Sequence, residues 1–400
     1  MNRKHIIIVL LILLASLIRP QPALSQDIDD KFDAFSKRQD SLFSAFSDSI
    51  DKEYDEFVAR QDSLFNAFVE KVDRLWDDNV YPTQKDYVEY KKDYSRRTHI
   101  DFEIGKVKTS ILVDVDNAGP AKIEKAREEI KNELTATVSS AGQTELYTSH
   151  EDDEPVPEES KPMLLDQVAD QSGREIDAGN AAEYIEEVIE QHPIVVDTIL
   201  SADGKRRIRL TASYDLVPDH LRKRAGQYLD LVLKSADKYR LDPRLVLAIM
   251  HTESYFNPRA TSRIPAYGLM QIVPSTAGRD AYKFVYGEDK LLSKNCLYEP
   301  EKNIELGCAY LNIVRFNYLR GIEKDQLAYP CAIASYNGGI GNLCQALTGK
   351  KVLSGLPDAV NGNDFQSLVG VLNKKLPYKE TRDYLNNVLE RMPLYDEWAE

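Results

Sequence analysis

Cysteine is scarce in this chain of 400 residues, with four in all: Cys296, Cys308, Cys331 and Cys344. Their spacings are not CxxC-like and no histidine lies between them, which speaks against a structural zinc site. None lies near position 25, which excludes lipid attachment there. Positive charge is also short. The net charge is −14, and residues 217–400 hold 24 basic and 21 acidic side chains, so residues 1–216 carry −17. An acidic front half argues against nucleic acid and against anionic membrane surfaces as partners. Long apolar runs are missing too. The longest, Ile6–Ile18, falls short of the roughly 20 residues that a membrane helix needs.

That run has a recognisable context. Basic residues precede it and the small-residue site Ala23-Leu24-Ser25 follows, which is the layout of a cleavable signal peptide over 1–25. An uncleaved anchor is the alternative. Export predicts a periplasmic protein, and an even number of cysteines in such a chain predicts two disulfides. Of the three possible connectivities, sequential pairing is favoured: Cys296–Cys308 and Cys331–Cys344.

Residues 26–78 hold an internal repeat. RQDSLFSAF (Arg38–Phe46) returns as RQDSLFNAF (Arg60–Phe68), and aromatics recur every eleven residues at Phe32, Phe43, Tyr54, Phe65 and Trp76. A second row, Phe35, Phe46, Phe57 and Phe68, is offset by three. Eleven residues make three helical turns, so both rows share one face of a long helix. This stripe over 32–76 must pack against the rest of the chain, a second copy, a partner protein or a membrane surface, the last disfavoured by its abundant Asp and scarce Lys and Arg. Residues 79–217 read as a smaller α+β domain. His99–Val115 alternates as strands do. Pro120–Ser139 reads as an amphipathic helix. An acidic, proline-bearing linker covers 151–160. Ile194–Val217 reads as a hairpin turning at Asp203-Gly204. From 218 to 400 the pattern is helical, with helices near 219–240, 243–253, 275–286, 301–319, 329–337, 364–375 and 379–391. The fold class is therefore α+β, with a mainly α C-terminal domain.

Chemistry concentrates between His251 and Phe284. Asp242 and Pro243 start a helix whose residues Leu245–Met250 are apolar on every side. Glu253 stands at its C-terminal end. An apolar surround raises a carboxyl pKa, and the negative end of the helix dipole adds to the effect. Glu253 is thus the candidate general acid. His251 reads as a packed helical histidine, and no metal or cofactor is expected.

Four motifs follow one another in order: Glu253-Ser254, Gly268-Leu269-Met270-Gln271, Ser335-Tyr336-Asn337 and the late Tyr378–Tyr384. Together they resemble the lytic murein transglycosylases with a goose-lysozyme-like (SLT) domain, over roughly 219–391. Serine replaces the family's alanine at 335. Trp76 and Tyr87–Val107 resemble the N-terminal domain of murein transglycosylase C. The resemblance implies a lysozyme-like catalytic domain that cleaves the β-1,4 bond of peptidoglycan glycan strands and leaves a 1,6-anhydro end. Glu253 and Tyr384 would be catalytic. Ser254, Met270, Gln271, Tyr336, Asn337 and Glu380 would line the sugar site, Glu380 in a supporting role. Many members are membrane lipoproteins, whereas this chain has no lipid-bearing cysteine.

Two rival readings have clear signatures. A hydrolytic muramidase would need a base to activate water, and no second acid stands out between Glu253 and Gln271. A non-catalytic wall-binding scaffold would suit the aromatic repeat and the acidic front half.

Overall fold

The computed structural model describes residues 56, 59–60, 62–91, 93–142, 161–262 and 266–398. The expected signal peptide, most of the repeat and the acidic linker lie outside the described residues.

Residues 62–75 form helix α1, which holds Asp62–Phe68 of the second copy of the repeat. The four-residue steps Phe68, Val72 and Trp76 put one stripe of side chains inward, each at most 4% exposed. The stripe covers one face of a five-stranded antiparallel sheet. The strands are β1 (Asp86–Lys91), β2 (Arg96–Asp101), β3 (Lys106–Asp114), β4 (Val195–Leu200) and β5 (Arg206–Asp215), in the order β1-β2-β3-β5-β4. Val88, Tyr90, Leu112 and Ile199 meet α1. The Trp76 indole donates to the Tyr94 carbonyl at 2.8 Å, and the Arg97 guanidinium lies 4.2 Å from its ring centre. Thus the described part of the aromatic stripe buries itself against its own chain.

The opposite sheet face carries helices α2 (Pro120–Ser139) and α3 (Ala181–Gln191). Tyr87, Ile100, Val107, Ile111 and Leu210 point there, against Ile130, Leu134 and Ile185. The alternation along each strand sorts the side chains between the two faces. The β4–β5 hairpin turns at residues 201–205, with Gly204 at φ +79° and the Asp203 carboxylate accepting both Arg207 Nη groups at 2.8 and 2.7 Å.

Helices make up the rest. They run α4 (His220–Gly226), α5 (Leu229–Tyr239), α6 (Pro243–Ser254), α7 (Ala277–Tyr286), α8 (Lys294–Tyr298) and α9 (Pro300–Asn312). Then come α10 (Asp325–Gly338), α11 (Ile340–Thr348), α12 (Leu356–Asn361), α13 (Phe365–Lys375) and α14 (Lys379–Arg391). The single helix expected at 219–240 is broken after Gly226, a residue of low helix propensity. The helix expected from 329 starts earlier, at Asp325, and runs through Pro330, whose ring is buried in the core. α6 crosses the centre, with Val246–Met250 wholly buried.

The expected disulfides are not formed: none links the four cysteines among the described residues. Cys308, Cys331 and Cys344 point into the helical core as small apolar side chains, and burial pushes the Cys331 thiol up to about 12.

Arg224 joins the helical region to the sheet region. Its side chain is fully buried. Nε donates to the Tyr255 carbonyl at 2.7 Å, Nη1 to Gln167 Oε1 at 2.6 Å and Nη2 to the Phe102 carbonyl at 2.9 Å. Burial lowers its pKa to about 9, so it remains charged at neutral pH. Arg224→Met would leave three buried acceptors without a donor. We expect a loss of about 3–5 kcal/mol in urea unfolding. A loss below about 1 kcal/mol would mean that the clamp is dispensable.

Candidate active site

Glu253 lies in the last turn of α6, where the helix closes on Tyr255 at φ +50°. Its side chain is only 6% exposed. Burial drives its pKa from 4.5 up to about 8. The neighbouring Tyr384 hydroxyl offsets part of that rise, and the negative charge of Glu380 adds to it. The acid is therefore protonated at neutral pH. The C-terminal end of α6 works in the same direction.

α10 and α14 bring two phenols to the acid. Tyr384 is buried beside the carboxyl, with its hydroxyl turned to Glu253. Burial, and then the nearness of Glu253, hold both Tyr384 and Tyr336 well above the usual phenol range. Both stay neutral and able to donate. Glu380 stands exposed on α14, one turn before Tyr384. It contributes charge to the site without sharing its burial.

The Gly268–Gln271 turn is clamped from three sides. Ser254 Oγ donates to the Leu269 carbonyl at 2.8 Å. The Tyr336 hydroxyl donates to the Met270 carbonyl at 2.7 Å. Asn303, on α9, accepts from Met270 N at 2.7 Å and donates to the carbonyls of Tyr267 and Leu297 at 2.8 and 2.6 Å. The turn needs glycine at its head. Gly268 has φ +76°, and a Cβ there would stand 2.3 Å from the Leu297 carbonyl oxygen. Met270 is fully buried, its sulfur seated in the space left by Gly307. Gln271 sits at φ +47° and spends its amide N–H groups on the Ala260 and Gly268 carbonyls at 3.0 and 2.9 Å. Its Oε1 is buried without a partner among the described residues.

The residues expected at the sugar thus divide. Glu253 and Tyr384 come together, with Tyr336 and the Glu380 charge beside them. Ser254, Met270 and the Tyr336 hydroxyl are engaged with the protein backbone. Asn337 Oδ1 accepts from Thr381 Oγ1 at 2.8 Å, which ties α10 to α14. His251 pairs with the Tyr395 hydroxyl at 2.9 Å, and burial, then the charges of Arg391 and Arg224, lower it to about 3. It is a neutral packed histidine.

Three contributors escaped the sequence reading. Asn303 looked like one polar residue in an amphipathic helix; its full burial was the only signal, and burial cannot be read from one position. Tyr255 Oη donates to Glu103 Oε1 at 2.9 Å and accepts from Arg391 Nη2 at 3.0 Å. Gln84, from the segment before β1, approaches Glu253 Oε2 with its Nε2 at 3.5 Å. Nothing local marks either of these two.

A titration follows from the burial of Glu253. Below pH 4.5 its carboxyl is protonated in the folded and unfolded chains alike. As pH rises towards 8 the unfolded chain sheds the proton first, and native stability falls. Glu253→Gln has no proton to lose. Its stability relative to the parent should grow between pH 5 and pH 9 by a few kcal/mol, on the order of 2–4, in urea unfolding. Parallel pH dependence of parent and variant would show that the carboxyl is not desolvated.

Comparison with known proteins adds the family. Residues 230–354 match the transglycosylase SLT domain, and residues 41–227 match the N-terminal domain of membrane-bound lytic murein transglycosylase C. The membrane-bound lytic murein transglycosylase C of Pectobacterium atrosepticum is 33% identical over 305 residues, covering 76% of this chain and 80% of that one. The Yersinia enterocolitica protein of that name is 33% identical over 309 residues with the same coverage. Among solved structures, the 70 kDa soluble lytic transglycosylase of Escherichia coli is 27% identical, with a TM-score of 0.34. That alignment takes in 45% of this chain and about a quarter of the other, 26%. On the family matches and these relatives, the chain belongs to the membrane-bound lytic murein transglycosylase C family.

Proposed function

We propose that this chain cleaves the β-1,4 bond between N-acetylmuramic acid and N-acetylglucosamine and closes a 1,6-anhydro ring on the muramic acid, with Glu253 as acid and then base. As a member of its family the chain is a lytic transglycosylase acting on peptidoglycan. The observation that carries the finer reading is the buried Glu253 carboxyl, protonated up to about pH 8.

The protonated Glu253 gives its proton to the glycosidic oxygen, and the bond to the anomeric carbon breaks. N-acetylglucosamine leaves with that proton. The C6 hydroxyl of the muramic acid then bonds to its own anomeric carbon, and its proton returns to the Glu253 carboxylate. The atoms balance without water. Ring closure within one sugar has a small entropic cost, so a second carboxylate nucleophile is not needed. The Tyr384 hydroxyl, beside Glu253, donates a hydrogen bond at the reacting centre. Ser254, Met270, Tyr336 and Asn337 act by holding the cleft wall, and Gln271 holds the turn. Glu380 sets the local charge. An envelope location fits the relatives, which are named as membrane-bound. Among the described residues no helix is long and apolar enough to cross a membrane.

Mass spectrometry of digested sacculi tests the reaction. Anhydro ends are lighter by one water than hydrolysed ends, and the expected product is the lighter one. Glu253→Gln should lower the rate by about 10²–10⁴-fold while glycan binding persists. Hydrolysed ends would make the chain a muramidase. Normal cleavage by the variant would remove Glu253 from the mechanism.

A further inference from the structure

The segment before β1 reaches the acid from outside the helical region. Gln84 is exposed, yet its Nε2 stands 3.5 Å from Glu253 Oε2, across 169 residues of sequence. That contact is long for a hydrogen bond, and its value depends on how firmly the two sides are held.

Both sides are pinned. Pro82 is buried. Thr83 N donates to the Asp86 carbonyl at 3.1 Å, and Thr83 Oγ1 accepts from the backbone N–H of Lys85 and Asp86 at 3.2 and 3.1 Å. Gln84 therefore sits inside a closed turn. The Lys85 carbonyl accepts from Phe102 N at 2.9 Å, and the Lys85 ammonium pairs with Glu103. Glu103 in turn accepts from the hydroxyl of Tyr255, two residues beyond Glu253, at 2.9 Å. Arg391 Nη2 donates to that same hydroxyl, and Arg391 Nη1 donates to Thr252 Oγ1, each at 3.0 Å. The Arg224 clamp joins Phe102 to the Tyr255 carbonyl. Gln84 and Glu253 are thus fixed to one frame by two independent routes.

We propose that Gln84 is a positioning residue of the active site, lent by the sheet region, whose amide steadies the Glu253 carboxyl in its reacting orientation. The inference rests on Glu253 as the acid. An amide N–H binds a carboxylate more strongly than a neutral acid. The contact therefore tightens once Glu253 has given up its proton, and it supports the second half of the reaction, when the carboxylate waits for the C6 proton.

The titratable groups that face Glu253 among the described residues are Tyr384 and Glu380 on α14 and Tyr336 on α10. Around Gln84 stand Lys85, paired with Glu103, and Asp86, paired with His99 at 2.7 Å. None of these is altered by substituting Gln84.

The test is the pH profile of kcat/KM on purified sacculi for Q84A, Q84E and Q84K in the full chain. The basic limb reports the Glu253 proton. Loss of a donor to the carboxylate raises its pKa, so the limb moves up in Q84A. Added negative charge moves it further up in Q84E, and added positive charge moves it down in Q84K. In Q84A, kcat at pH 7 should fall about fivefold, the scale of one weak hydrogen bond to a charged group, with KM little changed. A limb that stays in place in all three variants overturns the proposal. A fall confined to KM does so too. Glu253→Gln in the same assay separates the two ideas. If it is inactive while the Gln84 variants keep the parental limb, only the Gln84 proposal fails. If it is active, the assignment of the acid fails first.

Discussion

Desolvation of a single carboxyl sets the terms for the rest of the molecule. Glu253 can hold its proton at neutral pH only because α6 runs through the centre of the helical region and its last turn is buried with it. Val246–Met250 must be apolar on all sides to make that possible. The same burial that makes the acid useful makes its ionised form costly. Stability and reactivity are thus set against each other in one side chain.

The other motif residues serve that burial. A turn carrying two unusual backbone conformations, Gly268 at φ +76° and Gln271 at φ +47°, forms the wall beside the acid. Left alone, such a turn would be mobile. Ser254, Tyr336 and Asn303 each anchor a backbone group of the turn or of Tyr267 just before it, from three different helices. Side chains that look like sugar ligands by type are thereby committed to shape. Tyr384 is the exception, since its buried hydroxyl is turned to Glu253 and not to the backbone.

Arg224 extends this frame to the sheet region. A buried guanidinium has five donors in a fixed plane, and here three separate acceptors from distant parts of the chain use them. The clamp meets the backbone two residues after Glu253. The sheet region is therefore part of the architecture of the site, and the turn carrying Gln84 is held where it can reach the acid.

Much of this was legible in the sequence where the signal is local. The apolar run before Glu253, the Asp242 cap, the helix over Pro120–Ser139 and the hairpin at Asp203-Gly204 all follow from periodicity, caps and turn residues. The break after Gly226 follows a local preference that the helical pattern on either side masks, whereas α10 runs through Pro330 because burial of the helix outweighs the proline. Compartment and even number argue for disulfides but carry no information on which thiols meet; none is formed among the described residues, although Cys331 and Cys344 stand near each other.

The sequence by itself determined that a lone acid would end a buried helix and that a glycine-led turn would follow it, since hydrophobic period and backbone preference act over a few residues. Only the tertiary structure decided which polar atoms remain free. Ser254 and Tyr336 are spent on the backbone, Tyr384 is not, and Gln84 arrives from the far end of the chain. Hydrogen-bond partners are chosen by packing across a hundred residues or more, and no local pattern records that choice.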